Sequence, residues 1–295
     1  MDLNVFDGIE LEKSNKTVEP VETAESTQIK DAVTNNDPVP KDPIKISRDK
    51  FRILSGCIGL MPGLACTDCD IKNGFVRQPD NYGNSIIELD LTSILNERSL
   101  SISNVKDKYA AMKALEVDDS VDWSKEDLLL VEFDKGYQIL DRESVITFKK
   151  PVASLMGNSF ITTEQLNSKA DTNDKNMIFT LQIKPHMIKR IADMCESMGT
   201  DIITVEMKDS KGTIYVRNKN NTDEMQAKVI TNFDLDKKVP ISNFSFSSLP
   251  FRVNFTTELT LKLFKQTKNC LVFFEQKLFN SITFRIYTLV RVINS

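Results

Sequence analysis

From residue 44 onward the hydrophobic positions switch between two periods, and the whole sequence of switches occurs twice. Residues 44–47 alternate apolar and polar, as a half-buried strand does, and 48–60 place Phe51, Leu54 and Ile58 on one face at helical spacing. Pro62 and Gly63 end that helix. Residues 64–72, 74–78 and 85–91 then read as strands. A second helix is expected over about 105–116, with Val105, Tyr109, Met112 and Leu115 as its apolar stripe. Strands follow at 128–133 and 144–148, with 137–140 as a third between them.

The plan returns after a polar stretch over 151–176, whose Gly157 and runs of Ser, Thr, Asn and Asp suit an interdomain linker. Residues 177–183 read as a strand and 185–198 as a helix. Pro185 falls in its first turn, where a missing N–H costs nothing, and Gly199 stops it. Strands are expected at 201–208, 213–218 and 227–233. Residues 241–251 take the place of the second helix, although four serines and Pro250 make it a short and poor one. Alternating strands at 259–265, 270–275 and 283–292 close the chain. Placing Phe51 on Ile188 needs a shift of 137 residues, and placing Val76 on Val216 needs 140. The expectation is an α+β protein of two similar β-α-β-β-β-type domains, 44–150 and 177–295, with the helices on one face of the sheets.

Residues 1–43 stand apart. They hold ten Asp or Glu against four Lys, no aromatic beyond Phe6 and no sustained period. Such a segment cannot bury enough apolar surface to offset its ordering entropy, so a disordered acidic tail is expected. Its stretch 5–11 reads either as a short docking motif or as part of the solvated tail. The tail carries a net −6, which leaves +2 for the rest of a chain whose total is −4. The folded part is therefore mildly basic, and the whole-chain charge says little about nucleic acid as a partner. No apolar run approaches the roughly 20 residues that span a bilayer, and the N-terminus lacks the pattern of a signal peptide. Five cysteines, an odd number at irregular spacing, point to reduced thiols in a cytoplasmic compartment.

Most enzyme chemistries lack their residues. The single histidine, His186, opens a helix without a nucleophile elbow or other local signature, which suits an exposed helix residue better than a catalytic base. No glycine-rich loop precedes a Lys-Ser or Lys-Thr pair, and the acidic residues form no paired metal motif. Cys66 and Cys69, with Cys57 nearby, resemble half of a zinc site, but a partner pair is missing, and residues three apart on a strand face opposite sides. No metal and no cofactor is expected.

The helices carry what remains. Around the apolar stripe of 48–60 lie Arg48, Lys50 and Arg52; on the second helix Lys106 and Lys113 fall seven apart; on 185–198 Lys189 and Arg190 lie opposite Met187, Ile188, Ile191, Cys195 and Met198. Such cations either solvate helix faces or form one surface that attracts a phosphate backbone without reading sequence. Asp193 and Glu196 favour the first reading. The repeat favours the second, because Arg52 and Lys189 match at the 137 shift.

With Ile44-Lys45-Ile46-Ser47-Arg48-Asp49 opening the first copy, the run from Lys108-Tyr109 to Asp122, the second copy from Phe179 through Phe233, and the closing strands to Val292, the chain resembles the DNA polymerase sliding clamps. The resemblance is nearest to clamps of T-even-like bacteriophages and covers about residues 44 to 292. It implies a DNA-clamp fold and a processivity factor rather than an enzyme: a head-to-tail ring, most simply a homotrimer, that encircles duplex DNA and tethers the replicative polymerase. It implies Arg48, Lys50, Arg52, Lys106, Lys113, Lys189 and Arg190 as DNA-facing positions, and an ATP-dependent clamp loader, the polymerase, and RNA polymerase or transcription factors as partners. The setting would be the cytoplasm, that of the host cell for a viral protein. Partner peptides would enter a groove near residues 155–166 and the strands around 230–235. The alternative is a clamp-fold transcription co-activator or scaffold that contacts RNA polymerase without a processivity function.

Overall fold

In the computed structural model, Ile44–Ser47 (β1) leads directly into Arg48–Leu60 (α1). Ser47 makes the transition, because its Oγ accepts the Lys50 amide and satisfies one of the N–H groups left open at a helix start. Phe51, Leu54, Cys57 and Ile58 turn toward the sheets and are at most 2% exposed. Burying Phe51 or Leu54 contributes roughly 1.5–3 kcal/mol each. The structure describes residues 44–64, 66–80, 83, 85–114, 127–133, 136–140, 145–149, 160–217, 226–267, 269–291 and 293–294. The expected acidic tail, with its stretch 5–11, lies outside them.

The first half continues with Cys69–Lys72 (β2), Phe75–Pro79 (β3), Ser85–Asp90 (β4), the one-turn helix Thr92–Leu95 (α2), Leu100–Ile102 (β5), Val105–Ala114 (α3), Asp127–Phe133 (β6), Gly136–Leu140 (β7) and Val145–Lys149 (β8). A short helix, Thr163–Lys169 (α4), precedes the second half. There Met177–Ile183 (β9) feeds Pro185–Ser197 (α5), followed by the long strands Ile202–Arg217 (β10) and Gln226–Ser247 (β11). A 3-10 turn at Leu249–Arg252 leads to Leu259–Lys265 (β12), Cys270–Leu278 (β13), Ile282–Val290 (β14) and Ile293–Asn294 (β15). Helices α1 and α5 are both 13 residues long, and they stand at the 137-residue shift of the repeat.

The sheets repeat as well. β1-β6-β7-β8 form one sheet, and their counterparts β9-β12-β13-β14 stand in the same order. The second set is fused to β5-β2-β3-β4 by antiparallel pairing of β14 with β4, which makes one sheet of eight strands. β10 and β11 pair in two registers, 202–207 against 242–247 and 211–217 against 226–234, broken around Asp209 at a φ of 56°. Side chains alternate across β13. Val272 and Phe274 join the core that holds Phe51, Met112 and Ile188, so α1, α3 and α5 cover that face. Leu271 and Phe273 point the other way, to Phe264, Tyr287 and the linker residues Ile161, Leu166 and Ala170.

Two expectations change. Residues 241–247 are strand rather than helix, with only Leu249–Arg252 helical, because Ser242, Phe244 and Phe246 are buried and alternate with less buried neighbours. That is a period of two, and it outweighs the positional analogy with α3. The linker also holds structure: Thr162 and Gln165 form a reciprocal capping box that starts α4.

The fused sheet is crossed by a ladder of alternating charge. Arg77 on β3, Glu88 on β4, Arg285 on β14 and Glu275 on β13 are successive cross-strand partners. Arg77 Nε donates to Glu88 at 2.5 Å, and Arg285 donates to Glu88 at 2.8 Å and to Glu275 at 2.7 Å. Tyr287 adds its hydroxyl to Glu88 at 3.4 Å. Glu88 is buried, whereas the Glu275 side chain is 38% exposed. Glu88→Ala should therefore cost about 3 kcal/mol, since it removes the buried carboxylate that two guanidinium groups share, while Glu275→Ala should cost under about 1 kcal/mol. Urea unfolding of the two variants measures the difference, and equal losses would contradict it.

Candidate nucleic-acid interface

The expected cations fall on two helix groups. On α1, Lys50 and Arg52 are exposed, with Asp49 beside them. Arg48 is not: it is 8% exposed, because at the first position of the helix it shares the inward face with Phe51 and Ser55, three and seven residues on. On α3, Lys106 and Lys113 are exposed and Asp107 lies between them. Lys113 Nζ sits 5.7 Å from the Tyr109 ring centroid. That ring lies flat against Gly59 of α1, where a Cβ would come within 2.6 Å of it, so the two helices meet closely. On α5, Lys189 and Arg190 are exposed, and so are Asp193 one turn and Glu196 about two turns further on. His186, also exposed, stands at the second position of α5.

The second half contributes less. Where α3 stands in the first half, it has the 3-10 turn at 249–252, which packs on α5 and supplies Arg252 alone, paired with Asp201. A different element reaches the helix face. The turn between β13 and β14 puts Phe279 and Asn280 at φ values of 50° and 61°, and the Phe279 ring points end-on at Gly56 of α1. A bulky residue in this left-handed region is an outlier that costs of order 1–3 kcal/mol and must be held by its surroundings. Sequence reading passed over this contact. Its one local sign is a Phe-Asn pair between two alternating strands, where Asn-Gly is the favoured choice.

No protein-family model matches the chain, and no curated protein matches its sequence. Solved structures do match in shape. The chain aligns with a structure of the C-terminal region of FEN-1 bound to A. fulgidus PCNA at a TM-score of 0.55 and 10% identity, covering 86% of this chain and 99% of that one. PCNA of Entamoeba histolytica aligns at 0.53 and 13% identity, over 84% of this chain and 98% of its own. A putative DNA polymerase III beta subunit from Eubacterium rectale aligns at 0.56 and 12%, over 88% of this chain and 68% of that one. The fold is that of a sliding clamp.

The linker of this sliding-clamp fold crosses the sheet face opposite α1, α3 and α5. Lys72 Nζ lies 5.1 Å from the Phe160 ring, the Ile161 amide donates to the Arg77 carbonyl at 2.7 Å, and Arg77 Nη1 donates to Thr163 Oγ1 at 2.8 Å. The apolar floor beneath is Ile86, Phe264, Leu271, Phe273 and Tyr287. The groove expected at 155–166 and 230–235 is thereby corrected on its second side, because 230–235 belong to β11, in the other sheet. Residues 155–159 lie outside the described residues.

The thiols are set apart from any such surface. Among the described residues no group of three or more His, Cys, Asp or Glu is placed to hold a metal ion. All five cysteines are buried and free. Burial pushes the Cys57 thiol up to about 12, and burial, against a hydrogen bond from Gln78, pushes Cys66 up to about 11. Cys69 is also raised well above its ordinary value, by burial and by Cys66 beside it. Thiols of an unfolded chain ionise near pH 8.5. Between about pH 9 and 11 the unfolded state thus loses protons that the folded state keeps, and stability falls as pH rises, by at most about 1.4 kcal/mol per pH unit for each thiol. Urea unfolding at pH 8 and pH 10 should show this loss, and Cys57→Ala should shrink it. An undiminished loss in that variant would clear Cys57 of the effect.

Proposed function

We propose that the protein is a DNA polymerase processivity factor, a ring that encircles duplex DNA and tethers the polymerase without catalysing a reaction. One observation carries the reading: the chain contains one completed junction and the two edges of a second. The completed junction is β4 paired with β14. By the order of strands, β8 is the counterpart of β14, and residues 226–234 of β11 are the counterpart of β4. Among the described residues β8 pairs only with β7, and 226–234 pair only with β10. If β8 of one copy joins 226–234 of the next, the internal junction is repeated between chains. A head-to-tail contact of this kind closes into a ring when its rotation divides a full turn, and three copies of a two-domain chain give six equivalent junctions. Closure also removes edges that would otherwise invite aggregation.

In such a ring α1, α3 and α5 line the hole, and Lys50, Arg52, Lys106, Lys113, Lys189 and Arg190 meet phosphates through counterion release rather than base reading. Arg48 contributes as a buried neighbour of that face rather than as a free contact. Polymerase and other partners would dock by short apolar peptides beside the linker, on the sheet face where Leu289, the cross-strand partner of Leu271, is 49% exposed. An ATP-dependent loader would open the ring in the cytoplasm, the host's own if the kinship with T-even-like bacteriophage clamps holds.

Polymerase extension on a primed circular template, with and without the protein, tests the reading directly, and long products should depend on the protein. Lys189→Glu/Arg190→Glu should cut that stimulation severalfold while sedimentation still shows the assembled ring. A strict monomer at high concentration would overturn the ring.

A further inference from the structure

We infer that α4 is a lid: it covers, with side chains of this chain, the apolar floor that a partner peptide needs, and a peptide binds there as α4 lifts. This rests on the reading that partners dock by apolar peptides on the sheet face beside the linker. The floor runs across strands of both halves, with Ile86 on β4, Tyr287 on β14, Leu271 and Phe273 on β13, and Phe264 on β12. Phe264, Leu271, Phe273 and Tyr287 are each at most 9% exposed. The buried side chains that the linker sets on them are Ile161, Leu166 and Ala170. Among the described residues the large apolar side chains left exposed are Val145, Phe255, Phe279 and Leu289. Of these Leu289 alone extends the floor, as the cross-strand partner of Leu271 and two residues from Tyr287 on the same face. An apolar peptide arriving here finds one open anchor point, and the deeper ones are already taken.

The cover is lightly held. From 162 to 169 every residue but Leu166 is exposed. Its polar ties sit at the two ends. At one end the Ile161 amide donates to the Arg77 carbonyl, and Arg77 Nη1 donates to Thr163 Oγ1. At the other end Gln266, just past β12, brackets Asp171: its Nε2 donates to the Asp171 carbonyl at 2.7 Å, and its Oε1 accepts the Asp171 amide at 3.3 Å. Thr163 and Asp171 are exposed, so water replaces these bonds at little net cost. Arg77 keeps Glu88 when Thr163 leaves. A segment with few buried apolar contacts and solvent-facing hydrogen bonds opens locally, far below the cost of global unfolding. The capping box between Thr162 and Gln165 lies within the segment, so the helix keeps its start as it moves. The apparent affinity of a peptide is then its intrinsic affinity reduced by the fraction of open lid. A peptide has one other place to go, a cleft of about 710 Å³ beyond Leu289, lined by Ser85, Asp201, Ser245 and Arg252 among others and by no residue of α4.

The test uses the full chain and, as probe, a short apolar peptide selected from a display library for binding that Leu289→Glu abolishes. With this probe bound, the amides of residues 163–170 should lose protection against hydrogen exchange. Leu166→Ala loosens α4 at its centre and Gln266→Ala at one end, and each should tighten the peptide severalfold; urea unfolding checks that both variants fold. If the bound probe leaves those amides as protected as in the free chain and neither variant tightens it, the peptide sits in the cleft beyond Leu289. The docking reading then stands and the lid is overturned. If no peptide can be selected whose binding depends on Leu289, the docking reading fails and the lid falls with it.

Discussion

Antiparallel pairing between β4 and β14 is the contact on which the rest of this structure depends. It converts two copies of one plan into an eight-strand sheet, and it removes an edge from each copy that would otherwise present open amides and carbonyls. Backbone pairing alone does not set its register. A slip of one residue would turn Glu88 to the helix-covered face, and a slip of two would set it against Thr283 or Tyr287 instead of Arg285. Burying a carboxylate is expensive, and the Coulomb gain of a buried pair roughly balances its desolvation. What the ladder from Arg77 to Glu275 contributes is thus discrimination between registers more than net stability. Because Arg77 also holds the linker through Thr163 and Ile161, the same guanidinium aligns the sheet and seats the segment that crosses it.

The two halves diverge where they meet the helix face. In the first, α3 packs on α1 through Tyr109 and Gly59, so a flat glycine surface accepts an aromatic ring. In the second, only the 3-10 turn at 249–252 remains beside α5. Phe279 then repeats the aromatic-on-glycine device from outside its own half, on Gly56. Both contacts use glycines three residues apart on α1, and at either position a side chain would collide with the ring. The helix with the most complete inward stripe is therefore also the one whose outward side is shaped to receive neighbours.

Much of this plan was legible in sequence because it rests on periods. β1, α1, β9 and β12 fall at the residues that alternation and helical spacing mark, since each has one buried and one open side. Residues 241–251 misled because analogy with the first copy was set above their own Phe-Ser alternation. Arg48 misled for a related reason: its charge drew it outward, while its spacing from Phe51 and Ser55 places it inward. The ladder was invisible for a different reason. Arg77, Glu88 and Arg285 become neighbours only through strand register across 197 positions of chain, and no local pattern encodes that. Phe279 was hidden likewise, since its meaning lies in a glycine more than two hundred residues earlier.

The distribution of charge bears on the kind of DNA contact such a face would make in the proposed ring. Each cationic helix carries acids within two turns of its cations: Asp49 beside Lys50, Asp107 beside Lys106, and Asp193 and Glu196 after Arg190. Exposed charges interact by about 1 kcal/mol at contact distance, and physiological salt screens them beyond about 8 Å. The acids therefore cancel much of the attraction at short range and flatten what remains along the helix. A protein that held DNA by charge would lose affinity through this arrangement. A ring would not, because closure rather than attraction keeps the duplex inside, and a flat potential is what lets it move. In the proposed ring the decisive energies would lie in strand edges, in β8 and residues 226–234, and the cations would need only be weak.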